Sequence, residues 1–131
     1  MEANIKPRCS KCDLEKEPEE FYYQNQHTLA RHSTCKKCWL DEGYFRKIKR
    51  YYGVTKTQYL DMLQEQGGVC AICKNADKYV ERLAVDHNHV TGQVRGLLCR
   101  RCNQALGALE DDVELLASAI DYLTVGAISN R

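Results

Sequence analysis

Three features are missing from this 131-residue chain. No run of apolar residues approaches the roughly 18 that a membrane-spanning helix needs, which excludes a membrane span. The opening Met1-Glu2-Ala3-Asn4-Ile5-Lys6-Pro7 has no apolar stretch followed by a small-residue cleavage site, so a reducing cytoplasm is the expected location. No sign of charge dominates either, since 19 Lys and Arg stand against 18 Asp and Glu for a formal net charge of +1. The length allows one or two small domains and excludes a large multi-domain enzyme.

What the chain does have is cysteine. All eight fall into Cys-x-x-Cys pairs: Cys9/Cys12, Cys35/Cys38, Cys70/Cys73 and Cys99/Cys102. In a reducing compartment an even set of cysteines reads as metal ligation rather than disulfides, and nothing around the pairs resembles the strand-to-helix setting of a redox motif. The first two pairs are separated by 22 residues and the last two by 25, so joining sequence neighbours gives two four-cysteine sites with loops of structural-zinc length. Two zinc-stapled units are expected. Eight thiolates remove eight charges and two zinc ions return four, which leaves about −3, so affinity for nucleic acid must depend on where charge sits. From Arg31 to Lys56 eight Lys and Arg face two acids, Asp41 and Glu42, whereas Glu110 to Arg131 carries five acids and one Arg.

The expected organisation is a zinc-binding unit over 1–43, a basic helical linker over 44–66, and a second zinc unit with C-terminal helices over 67–131. In the first unit Asp13 to Glu20 reads as a solvated loop and Phe21-Tyr22-Tyr23 as cover for the metal. The knuckle Cys35-Lys36-Lys37-Cys38 opens a helix that continues to Tyr52 and stops at Gly53. Trp39, Phe45 and Ile48 are read as its packing residues. Arg46, Lys47, Lys49 and Arg50, with Tyr44, Tyr51 and Tyr52 nearby, form a candidate phosphate-binding face. Thr55 and Gln58 fit a capping box for a short helix whose apolar side is Tyr59, Leu60, Met62 and Leu63, ended by Gly67-Gly68. Beyond it, Leu83 to His87 and Val94 to Leu98 read as a hairpin. Two helices follow, one after Cys102 and one capped by Asp111 or Asp112 that runs to Gly126 and is expected to cover the core of the second unit, the alternative being an apolar stripe exposed to a second subunit.

Between the last two knuckles lies Asp86-His87-Asn88-His89, and Asn103 follows Cys102 directly. A carboxylate with an amide oxygen makes a hard oxygen site suited to Mg²⁺ or Mn²⁺ rather than zinc. The imidazole of His87 suits a base that takes a proton from attacking water near neutral pH. His89, Arg95 and Arg100 are the groups available to hold phosphate charge. This chemistry is phosphodiester hydrolysis.

The run Leu83-Ala84-Val85-Asp86-His87-Asn88-His89-Val90-Thr91-Gly92-Gln93-Val94-Arg95-Gly96-Leu97-Leu98-Cys99-Arg100-Arg101-Cys102-Asn103, with Gly67-Gly68-Val69-Cys70-Ala71-Ile72-Cys73 before it, resembles the core of HNH endonucleases. It is most similar to the phage recombination endonuclease VII branch. The resemblance covers about Gln66 to Leu109. It implies an α+β fold: a small zinc-stabilised ββα-metal (His-Me finger) module, joined in this chain to an N-terminal four-cysteine finger and connecting helices. It further implies Asp86 and Asn103 as ligands of the catalytic ion, His87 as general base, His89 as a phosphate-side helper, and Cys70, Cys73, Cys99 and Cys102 as zinc ligands. The implied substrate is DNA, double-stranded, cut in the host cytoplasm. Two departures stand out. Leu106 occupies a position where some relatives carry a carboxylate, and the long C-terminal region through which endonuclease VII dimerises has no counterpart. A homodimer is compatible with the sequence but not implied by it. The competing reading is a non-catalytic double zinc finger that binds nucleic acid or protein.

Overall fold

The computed structural model describes residues 5–76 and 82–125. The chain divides into two compact units, 1–55 and 56–131. In the first, a single 3-10 turn over Pro18–Glu20 leads into β1 (Phe21–Tyr23), which pairs antiparallel with β2 (Arg31–Cys35), and α1 (Lys36–Tyr52) follows directly. The second unit holds α2 (Lys56–Glu65), the antiparallel hairpin β3 (Ala84–His87) and β4 (Val94–Leu98), α3 (Arg100–Ala108) and α4 (Val113–Thr124). This is an α+β chain of two small sheets and four helices among the described residues. The stretch 44–66, expected as one linker, is shared between the units, α1 falling in the first and α2 in the second.

The two units use one local device twice. After each first knuckle a non-glycine residue takes the left-handed conformation, Asp13 at φ 56° and Lys74 at φ 58°, and donates its N–H to the carbonyl of the first cysteine, Cys9 or Cys70. In each second knuckle the leading cysteine precedes a helix in extended backbone, Cys35 at φ −67°, ψ 157° and Cys99 at φ −66°, ψ 157°. Its partner, Cys38 or Cys102, therefore sits in the first helical turn. Local turn chemistry thus converges four sulfurs before any apolar core is counted.

Apolar burial is correspondingly small. In the first unit Phe21 packs with Cys9 and Cys35, while Tyr22 and Tyr23 stay exposed, so one of the three aromatics covers the sulfurs. α1 ends at Gly53, φ 70°, whose N–H reaches the Lys49 carbonyl, as its glycine predicts. Of its expected packing residues Ile48 is buried and Phe45 half-buried, but Trp39 is 48% exposed. Its ring lies 4.9 Å from that of His32 and 6.5 Å from that of Tyr22, a surface cluster rather than core. In the second unit Tyr59, Leu83, Val85, Leu97 and Leu98 are buried, and the Tyr59 hydroxyl donates to the Leu83 carbonyl at 2.8 Å. Leu60, expected among the apolar side of α2, faces outward.

The last helix departs furthest from expectation. Asp112 caps α4, its Oδ1 accepting from the Leu115 N–H at 2.9 Å. None of its residues is buried, and Val113, Leu115, Ile120, Tyr122 and Leu123 are all exposed. The spacing gives an amphipathic helix, but among the described residues its large apolar side chains stay exposed instead of covering the core. Gly126, expected as its stop, lies outside the described residues.

Candidate metal centres and active site

Cys9, Cys12, Cys35 and Cys38 bring four sulfurs within 4.8 Å of one another, as do Cys70, Cys73, Cys99 and Cys102. A zinc ion with Zn–S bonds of about 2.3 Å holds sulfurs about 3.8 Å apart at the corners of a tetrahedron. Cys73 Sγ and Cys99 Sγ are separated by 3.8 Å. Both groups fit structural zinc, and they are the only clusters of three or more such ligands among the described residues.

The surroundings sort the thiols. Burial alone would push Cys9 up, but N–H groups of Cys12, Cys35 and Lys11 outweigh it and draw the thiol down to about 6. Those from Cys35 and Lys11 reach its sulfur at 3.3 and 3.4 Å. The Asn75 N–H is the main cause that brings Cys73 down to about 6. Burial and neighbouring sulfurs push Cys38 and Cys102 up to about 12. Bringing all four sulfurs of a group to the thiolate form at this spacing requires a cation, and a structural zinc fits that need.

The second centre is built on the hairpin. Register runs Ala84↔Leu98, Val85↔Leu97, Asp86↔Gly96 and then His87↔Val94, which leaves Arg95 as an extra residue on β4. Such a bulge re-aims a side chain. Arg95 Nε and Nη2 donate to the two oxygens of Asp86 at 2.7 and 2.9 Å, a bidentate pair on a carboxylate only 6% exposed. The loop that follows is tied by Asn88, whose Oδ1 accepts from Val90 and Thr91 at 2.8 and 2.9 Å, and by Gly92 at φ 75°. It brings the His89 ring 4.6 Å from the His87 ring.

The structure adds a residue that sequence reasoning reduced to a helix cap. Asp111 Oδ2 accepts from His89 Nδ1 at 2.8 Å and from Arg95 Nη2 at 3.2 Å. The His89 hydrogen bond first, then Arg95, holds its carboxyl below the usual range against partial desolvation. Arg95, shared between Asp86 and Asp111, is drawn further up, chiefly by Asp86. Asp86, His87, His89, Arg95 and Asp111 are thus one connected cluster.

Asn103 lies in the first turn of α3, a helix that packs against both β3 and β4. No hydrogen bond engages its side-chain amide among the described residues. Each Asp86 oxygen accepts one Arg95 N–H and keeps a further lone pair. Asp86 is buried and Asn103 half-buried, and both carry side-chain oxygens, the donor type that a hard divalent ion accepts. Arg100 stands exposed at the start of the same helix.

In the first unit Arg46, Lys47, Lys49 and Arg50 are exposed on α1. At about 100° per residue they span about 160° of its circumference, with buried Ile48 opposite their centre. None of the four is in an ion pair among the described residues, whereas Lys11 near the helix start is bonded to Glu42 at 2.8 Å.

A hairpin and helix whose junction is held by four cysteines define a zinc-stapled ββα module. The chain belongs to the family described as recombination endonuclease VII, which it matches over residues 45–125. It is 40% identical over 102 residues to the Gene 59 protein of Mycobacterium phage D29, a stretch that is 77% of this chain and 62% of that protein. It is 46% identical over 78 residues to the Gene 59 protein of Mycobacterium phage L5, 59% of this chain and 48% of that one. The chain thus spans about three-fifths and about half of the length of these relatives. It is also similar to the solved ββα-Me type II restriction endonuclease Hpy99I, at 28% identity and a TM-score of 0.39, over 91% of this chain and 65% of that one. No helix among the described residues is long and apolar enough to cross a membrane.

Proposed function

We propose that this chain is a metal-dependent HNH endonuclease that hydrolyses DNA phosphodiester bonds in a reducing cytoplasm, that of the host if phage-encoded. The observation that carries the reading is the clustering of Asp86, His87, His89 and Arg95 at the open end of the hairpin of an endonuclease-family module. A Mg²⁺ or Mn²⁺ ion held by Asp86 and Asn103 would supply charge stabilisation at the scissile phosphate and the leaving oxygen. A ring nitrogen of His87 takes the proton of a water whose oxygen forms the new P–O bond as the bond to the 3′ oxygen breaks, leaving a 5′-phosphate and a 3′-hydroxyl once that oxygen is protonated. His89, Arg95 and Arg100 hold the phosphate. Arg46, Lys47, Lys49 and Arg50 bind the backbone of double-stranded DNA, and the two four-cysteine groups hold zinc for structure.

The test is cleavage of supercoiled plasmid by zinc-loaded protein with added Mg²⁺ or Mn²⁺. His87→Ala leaves all eight cysteines, Asp86 and Asn103 in place, so fold and DNA affinity measured in Ca²⁺ are expected to survive while cleavage falls by about 10² to 10⁴. A variant that cuts as fast as the parent overturns His87 as base. A parent that cuts no DNA with either metal leaves the double zinc finger that only binds.

A further inference from the structure

Asp111 is kept where it is at a cost to the fold. It follows Glu110 in a pair of consecutive left-handed residues, φ 54° and 57°, between α3 and α4, and neither is glycine. Such backbone is uncommon outside glycine, though Asp and Asn tolerate it best. The turn is pinned by N–H donation from Glu110 to Gly107, Asp111 to Leu106 and Asp112 to Leu109, at 3.1, 3.0 and 2.9 Å. Its Oδ1 is buried with no hydrogen-bond partner among the described residues, so one oxygen of the carboxylate is desolvated without compensation from them. Helix capping explains none of this, because the adjacent Asp112 performs it.

What the arrangement achieves is at Oδ2. Asp111, held ionised, can only accept, so His89 Nδ1 must carry the hydrogen between them. That fixes the neutral ring in one tautomer and leaves Nε2 as its free nitrogen. The same oxygen holds the Nη2 of Arg95, whose other donations go to Asp86. We infer that Asp111 is a positioning residue of this site, its carboxylate setting the ring tautomer and orientation of His89 and the reach of Arg95, so that both meet a phosphate pre-aligned. The inference rests on the endonuclease reading for the phosphate, but not for the hydrogen bonds. A carboxylate that orients a metal-bound imidazole is typically worth about ten- to a hundredfold, and an effect of the same order is expected here.

Two substitutions separate this role from scaffolding. Asp111→Gly removes the carboxylate and accepts positive φ without strain; Asp111→Asn keeps the shape and tolerates the same backbone while its NH₂ faces the Arg95 guanidinium. The first readout is the ¹⁵N spectrum of the His89 ring in the zinc-loaded protein, which needs no catalysis. The parent is expected to show hydrogen on Nδ1, and Asp111→Gly to lose that preference. The second is plasmid cleavage with Mn²⁺, where both variants are expected to lose kcat roughly ten- to a hundredfold with a smaller change in KM. Added to His89→Ala, Asp111→Gly should cost less than it costs alone, because the two act together. An unchanged His89 tautomer in Asp111→Gly overturns the inference whether or not the parent is a nuclease. So does full additivity with His89→Ala, which would make Asp111 a scaffold residue only. If the tautomer shifts but the parent cuts no DNA, the positioning role stands and the endonuclease reading falls.

Discussion

At the residue scale, the candidate site is joined by one arginine that serves two carboxylates. Asp86 is buried and both of its oxygens accept from Arg95, so truncating Arg95 leaves a desolvated anion with no partner. Hydrogen bonds to charged groups are worth roughly 1.5–3 kcal/mol, and Arg95 itself is about one-third exposed, which screens the pair, so Arg95→Ala is expected to lose about 2 kcal/mol in urea denaturation of the zinc-loaded protein. If Asp86 holds the proposed divalent ion, that ion would replace the lost guanidinium, so Mn²⁺ should raise the midpoint of Arg95→Ala more than that of the parent. Equal Mn²⁺ responses would argue against an ion at Asp86. Much of this cluster is legible in the sequence, because Asp86, His87 and His89 lie in a short motif between the last two knuckles. Asp111 is not, since its role arises from left-handed backbone and from a hairpin more than a dozen residues earlier in the chain, and neither leaves a local pattern. The Asp86–Arg95 bond is hidden for a related reason: simple alternation puts Arg95 in ordinary register, and only the bulge turns it to Asp86.

At the element scale, a two-stranded hairpin is marginal in water and needs its edge covered. Gln66, just past α2, does this with a side chain acting as a strand residue. Its Oε1 accepts from the Leu97 N–H at 2.9 Å, and its Nε2 donates to the Leu97 and Val69 carbonyls at 2.8 and 2.9 Å. The Ala71 N–H adds a bond to the same Leu97 carbonyl at 3.1 Å, which joins the knuckle to β4. Gly96 leaves the room: a Cβ there would come within 3.1 Å of Gln66 Oε1. Gln66→Ala strands the N–H of fully buried Leu97, and at about 1 kcal/mol for each bond lost it should destabilise the second unit by about 2–3 kcal/mol. Protection of the Leu97 amide from hydrogen exchange is the direct measure, and unchanged protection would assign that edge to another group. Strand, helix and stop positions follow the sequence closely because Gly53, Gly92 and the cysteines set them locally. Trp39 and α4 depart because burial depends on what a small unit has to cover, which periodicity does not report.

At the scale of the whole molecule, zinc replaces the core that two units of this size lack. Each unit has its own sulfur cluster, so zinc content should be two per chain, with Cys9→Ser and Cys99→Ser each lowering it to one. Cys99→Ser is expected to abolish cleavage and Cys9→Ser to leave the Asp86 cluster assembled. The basic face is the other distributed feature. With Arg46, Lys47, Lys49 and Arg50 neutralised, log affinity for duplex DNA should fall less steeply with log salt, by about 0.9 for each phosphate contact removed, and alike for every sequence. An unchanged slope would make these residues an ordinary solvated face.

The thiol environments give zinc uptake a sign with pH. In the folded arrangement without a cation, burial and neighbouring sulfurs push Cys38 and Cys102 up to about 12 while backbone N–H groups draw Cys9 and Cys73 down to about 6. Once the chain unfolds these shifts are lost and its thiols are mostly protonated at neutral pH. Zinc binds thiolates, so each site must expel at least the proton of its raised cysteine. Acid therefore opposes binding, and zinc affinity should rise with pH across the neutral range, because the raised thiols remain protonated throughout it. Because apo units of this size have little else to hold them, the same protons link to folding: metal-free protein should be largely unfolded, and zinc should restore helix as it acidifies a weakly buffered solution. Circular dichroism and a pH indicator recorded in one zinc titration test this. Helix that is complete before zinc is added, or zinc bound with no proton released, would contradict the coupling of metal, proton and fold on which the two-unit architecture depends.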